Sequence, residues 1–130
     1  MAYVADESGR NEVYVRPYPG PGAALQISTS GGEEPLWAGR GLELFFRRGE
    51  TIFSVTLASA NGRLTASTAT PVFTGRFAAA NLRTGYDVSA DGRTFLFLKL
   101  TQPRENLSQF MLLMNALNID AIRSVTSPGR

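Results

Sequence analysis

Three short segments of this chain repeat one pattern at near-regular intervals: Ala2-Tyr3-Val4, Leu44-Phe45-Phe46 and Phe95-Leu96-Phe97. Their starts lie 42 and 51 residues apart (44 − 2 and 95 − 44). A period of roughly 40–50 residues marks one supersecondary unit used several times. Such units bury their faces only against neighbouring units. This spacing restricts the fold more than composition does.

The units share an internal order. Upstream of the second segment stands Glu34-Pro35-Leu36-Trp37, then Gly39-Arg40-Gly41. Upstream of the third stands Gly85-Tyr86-Asp87-Val88-Ser89, then Ala90-Asp91-Gly92. Each reads as a short strand closed by a tight turn. Gly accepts positive φ without steric cost, and Asp-Gly is a strong turn signal. Downstream, Glu12–Arg16 and Thr51–Leu57 are runs rich in β-branched and aromatic residues, which predicts further strands. Shorter fourth strands are expected near Ala24–Ser28 and Pro71–Thr74. The small and polar stretch Ala58–Thr70 reads as a long surface connection, and Ala78-Ala79-Ala80-Asn81 as another loop.

The core segments are apolar on both faces. Leu42, Leu44 and Phe46 share one side and Phe45 joins the other, the pattern of a sheet covered on both sides. Four strands at this period match the blade of a β-propeller. The expected fold is all-β: two to three four-stranded antiparallel blades, a partial β-propeller in one domain over residues 1–130. The blade parts fall at about 1–30, 31–75 and 84–114. Gln109–Met114 is an apolar run suited to a last strand. Beyond it Leu117, Ala121, Ile122 and Val125 recur at helical spacing, which predicts a short C-terminal helix over about 115–125. Leu107, Phe110, Met111 and Met114 also fit that spacing, so a single helix from Leu107 to Val125 competes with strand plus helix.

Composition narrows the chemistry. Hydrophobic residues make up 43% of the chain, enough for a packed core. Thirteen basic residues face 11 acidic ones, a net charge of +2, and Arg47-Arg48 is the one adjacent basic pair. Nucleic-acid recognition needs a clustered basic stripe, so no nucleic-acid partner is expected. No apolar run approaches the ~20 residues of a membrane span, and no basic-then-apolar leader opens the chain. A soluble chain is expected, with its compartment open. The sequence has no His and no Cys. That excludes a Ser-His-Asp triad, a His base, thiolate catalysis and Cys or His zinc ligands within this chain. Gly20-Pro21-Gly22 does not complete a phosphate loop, and its Pro removes a donor, so it reads as a turn.

Carboxylates remain. Asp6, Glu7, Glu33, Glu34, Asp87 and Asp91 lie in or beside turns, and hard oxygen ligands on loops suit calcium. Asp6 and Asp91 also read as turn formers that hydrogen-bond their own backbone. Asp87 sits inside a strand, where Asp is disfavoured. On the innermost strand of a blade it would face the central channel or bond to a neighbouring blade. Trp37, Phe45, Phe46, Phe95 and Phe97 read as core packed between blades.

These residues carry a family resemblance. Tyr3–Val15 resembles the strand–turn–strand of TolB-like, WD-like propeller repeats. Asp87-Val88-Ser89-Ala90-Asp91-Gly92-Arg93 resembles their Ser-x-Asp-Gly turn, and Glu34–Trp37 the strand that leads into it. Arg40 departs from the pattern, which has Asp there. The order of pieces is similar to the C-terminal end of long bacterial proteins. In those, such a propeller follows a serine/threonine kinase domain or stands as an exported, periplasmic TolB-like domain. The resemblance implies a protein-interaction or structural module, a fragment or small descendant of a TolB-like protein. Its open blade faces predict a homo-oligomer or association with other propeller blades. It also admits a calcium-dependent hydrolase of lactonase or esterase type, acting on a small ester or lactone at the propeller axis. Asp87, Asn81 and Asp6 are then the calcium ligands. A ligand-sensing domain of a bacterial kinase is the third expectation.

Overall fold

The computed structural model describes residues 1–39, 41–77, 84–98, 110–114 and 122–124, the last two segments through their backbone pairing. Twelve strands lie in these residues, and no helix does. The first sheet holds β1 (Ala2–Ala5), β2 (Glu12–Val15) and β3 (Leu25–Gln26) in that order. The second begins with β4 (Glu33–Trp37), β5 (Glu43–Arg48) and β6 (Thr51–Ala60). The first half of β6 pairs with β8 (Thr70–Thr74) and its second half with β7 (Arg63–Ala66). The third sheet runs β9 (Tyr86–Val88), β10 (Thr94–Leu98), β11 (Phe110–Met114), β12 (Ile122–Ser124). All pairings are antiparallel.

Two segments differ from the reading of the sequence. Ala58–Thr70 is not a surface connection throughout. Ala58–Ala60 continue β6, Asn61 and Gly62 turn the chain at φ 52° and 75°, and β7 returns along it. Positive φ at both central residues is the two-residue turn whose twist matches a hairpin. The C-terminal helix over about 115–125 is corrected at Ile122–Ser124. These residues form β12 and pair with Leu113, Leu112 and Met111 of β11. A helix of roughly ten residues has little stability of its own in water, whereas the open edge of β11 supplies a ladder of partners. The rest of that expected helix, the Arg40 turn position and the Ala78–Asn81 loop lie outside the described residues.

The middle sheet is buried on both faces. Alternation along β5 sends Leu44 and Phe46 to one side and Phe45 to the other. Leu44 and Phe46 join Phe53, Val55 and Leu57 of β6 in a cluster with Val13 and Val15 of the first sheet. Trp37 packs half-buried against this cluster. Phe45 and Ile52 join Tyr86, Phe95 and Phe97 of the third sheet in a second cluster. Its rings are locked edge to face: Phe45 on Phe95 and Phe73 on Phe97 both have centroids 4.9 Å apart. Edge-to-face pairs add about 0.5–1.5 kcal/mol beyond the area they bury. The third sheet turns Phe95 and Phe97 inward and leaves Leu96 and Leu98 42% and 49% exposed on its other face.

Candidate functional site

Polar residues concentrate where the second sheet meets its neighbours, around two carboxylates buried at the seams. Glu12 starts β2 and is buried. Its Oε1 accepts from Arg10 Nε and from the Gly31 N–H, each at 2.9 Å, and its Oε2 accepts from the Ser28 hydroxyl. Ser28 Oγ in turn accepts the Val13 N–H at 2.9 Å. Burial alone raises the Glu12 pKa. The donors from Ser28, Gly31 and Arg10 outweigh it and hold the carboxyl below its ordinary value. This knot closes the end of the first sheet onto the loop before β4. Gly32 in that loop is required by close approach, because a Cβ there would lie 2.5 Å from Ser28 Oγ.

Glu34 holds the other seam. It sits in β4 at φ 52°, an uncommon conformation for a residue with a side chain, beside an irregularity in the β4–β5 register. Its carboxylate accepts from Arg47 Nη2 at 2.6 Å and from the Gly85 N–H at 3.0 Å. Its backbone carbonyl accepts the Tyr86 hydroxyl at 2.8 Å. Arg47 and Glu34 are 11% and 8% exposed, so this pair is largely desolvated. Burial first, and then the Glu34 charge, pushes the Tyr86 hydroxyl pKa far up, with Arg47 opposing, so Tyr86 stays a donor. Arg47 Nε is buried with no hydrogen-bond partner among the described residues.

Between the knots lies an open cleft of about 410 Å³, lined by Arg10, Asn11, Glu33, Arg47 and Arg48 with the backbone of Gly31. Its charges are already engaged. Asn11 donates to Glu33 at 3.0 Å, and the Arg48 guanidinium lies 4.2 Å from the Phe53 ring centroid. Glu12 and Glu34 spend their oxygens on internal donors. The arrangement therefore braces three sheets against each other.

The residues singled out for calcium are placed as follows. Asp6 is exposed in the turn after β1, where its carbonyl accepts the Gly9 N–H at 2.8 Å. Asp87 is exposed on β9, and its Oδ1 accepts the Val88 N–H at 2.8 Å. Asp6 thus follows the first strand of the first sheet, and Asp87 belongs to the third sheet. Asn81 lies outside the described residues. Among the described residues no group of three or more Asp, Glu, His or Cys converges. Asp91 is held in its turn: Ser89 Oγ donates to its Oδ1 at 2.5 Å and the Arg93 N–H at 3.0 Å. Those donors, Ser89 first, lower its pKa.

The sequence marks Glu34 only as one of six carboxylates in or beside turns, and Glu12 and Arg47 not as a site at all, since charged residues within strand runs read as solvent-facing. Compared with protein-family models, with curated proteins and with solved structures, the chain matches none.

Proposed function

We propose that this chain is a protein-interaction and structural module. In this reading its three sheets are consecutive blades of a β-propeller, completed by association with further blades. One observation carries it. Each face of the middle sheet is covered by a neighbouring sheet through large apolar side chains, while the third sheet exposes Leu96 and Leu98 on its far face. A face of that kind on a repeat unit is stable when another unit covers it. Strand order supports the blade reading, because β4-β5-β6-β8 and β9-β10-β11-β12 are both four-stranded antiparallel paths. The calcium-hydrolase reading has no such support: of its two described candidates, Asp6 lies in the turn after β1 and Asp87 on β9 of another sheet.

The test is solution mass by light scattering, with and without calcium. A discrete oligomer is expected, and the double variant Leu96→Glu, Leu98→Glu is expected to run as a monomer with unchanged circular dichroism. A wild-type chain that stays monomeric across a hundredfold concentration range (about 2.7 kcal/mol of mass action) overturns the proposal.

A further inference from the structure

The cleft between the two seams is walled by three arginines. Arg10 comes from the turn between β1 and β2, while Arg47 and Arg48 end β5. Those last two are the one adjacent basic pair of the sequence. Glu33 is the single acidic residue lining the same space.

The neighbouring groups hold these arginines in place without saturating them. A guanidinium carries five N–H donors in a fixed fork. Arg10 donates from Nε to Glu12 and from Nη2 to the Thr29 carbonyl at 2.8 Å, which fixes its head. Its side chain is still 58% exposed, while that of Glu12 is fully buried, so the cation and not the anion meets the cleft. Arg47 donates from Nη2 to Glu34, whose second oxygen goes to the Gly85 N–H, and Arg47 Nε is buried with no acceptor among the described residues. Arg48 is exposed and forms no ion pair among the described residues. Its guanidinium is held over the Phe53 ring, which covers one face and leaves the N–H edges of the fork open. Gly31 sits between Arg10 and Arg48. It lies at φ 95°, and a Cβ there would stand 3.8 Å from Arg10 Cδ and 3.9 Å from Arg48 Cγ.

We infer that this cleft binds a phosphomonoester of a small polyhydroxy compound. Guanidinium forks suit the phosphate, because each can give two parallel N–H bonds to its oxygens. Arg10 and Arg48 bond it from either side of Gly31, and Arg47 adds positive charge at the wall. Two observations favour an ester over the bare ion. At about 410 Å³ the cleft falls in the range of small-molecule sites, roughly 300–1,000 Å³, and offers far more room than one phosphate fills. Glu33 repels a bare anion but accepts hydroxyl groups. One of its oxygens takes the Asn11 amide at 3.0 Å, and the other is an acceptor suited to a hydroxyl of the ligand. The residues invoked all belong to one chain, so the inference stands apart from association with further blades.

The test is calorimetric titration of the whole chain with glycerol phosphate, inorganic phosphate and glycerol. Glycerol phosphate is expected to bind saturably, with a Kd of about 1 mM or tighter that weakens as salt is raised. Inorganic phosphate is expected to bind at least about threefold more weakly, the loss of one neutral hydrogen bond, and glycerol not measurably. Arg48→Gln removes one fork at an exposed position and is expected to weaken binding by at least about tenfold. Arg63→Gln removes the same charge at the far end of β6, opposite Ala60, and is expected to bind as the wild type does. Amide resonances of Gly31 and Gly49 are expected to shift on adding the ester. No saturable binding, or equal losses in Arg48→Gln and Arg63→Gln, overturns the inference, and unmoved Gly31 and Gly49 amides do so even where Arg48→Gln fails to fold. Inorganic phosphate binding as tightly as the ester, or a phosphoserine peptide binding more tightly, overturns the assignment of a small polyhydroxy ester.

Discussion

The Tyr86 hydroxyl donates to the backbone carbonyl of Glu34 at 2.8 Å, across the seam between the second and third sheets. The same Glu34 reaches back with its carboxylate to the Gly85 N–H at 3.0 Å. Gly85 and Tyr86, at the start of the third sheet, are thus tied to a single residue of the second, beside the aromatic cluster the two sheets share. Apolar stacking alone permits sliding, and these directional bonds set the register of one sheet on the next.

Tyr86→Phe keeps the ring stack on Phe97, centroids 5.6 Å apart, and deletes only the hydroxyl. The Glu34 carbonyl is left without that donor. The expected loss is about 1–2 kcal/mol in urea unfolding, with an unchanged m value.

Glu34 gives a sharper comparison. Glu34→Ala removes the partner of the buried Arg47 and also holds Ala at φ 52°. A loss of about 3–5 kcal/mol is expected from the stranded charge. Glu34→Gly loses the same carboxylate without the left-handed strain. Despite glycine's greater freedom when unfolded, it is expected to be the more stable of the two by about 1 kcal/mol. Paired denaturation curves decide the order.

Much of this architecture is readable in the sequence. The alternating runs locate the strands, and the two-faced apolar pattern of Leu44, Phe45 and Phe46 announces a sheet covered on both sides. The repeat register is not so readable. Side-chain direction aligns Tyr3, Leu44 and Phe95 as the residues on equivalent faces, one position from the alignment that apolar character suggests, because hydrophobicity does not distinguish the faces of a fully buried strand. Asn61-Gly62 is a hairpin signal in its own right, masked by the small, polar residues around it. The seam carboxylates are hidden for a different reason. Apart from Arg10, the partners of Glu12 and Glu34 lie 13 to 52 residues away, a range at which local pattern carries no information.

Acid stability reports on Glu12. Its native pKa is lowered, so the unfolded chain binds more protons between the lowered value and the ordinary one. Its stabilisation is fully present above the unfolded Glu value, about 4.3, and is lost as pH falls through the native value. Asp91 acts in the same direction. The expected outcome is a stability difference between wild type and Glu12→Gln that is constant near neutral pH and narrows on acidification. A difference that widens in acid would reverse the assigned sign.

Gly39 supplies the last test of how the second and third sheets meet. A Cβ built on Gly39 would lie 2.9 Å from Ala90 Cα and 3.0 Å from Ala90 Cβ. The turn between β4 and β5 therefore docks on the turn between β9 and β10 with room for hydrogen only. Gly39→Ala is expected to cost about 1–3 kcal/mol, the usual range for overpacking. Ala90→Gly removes the Cβ part of the clash and leaves the Cα part. The double variant Gly39→Ala, Ala90→Gly is thus expected to recover some of the loss but not all, a coupling of at least about 0.5 kcal/mol in a double-mutant cycle. Additive losses would mean that the two turns do not touch in solution, and that the third sheet is held on the second by its aromatic face and the Glu34 bonds alone.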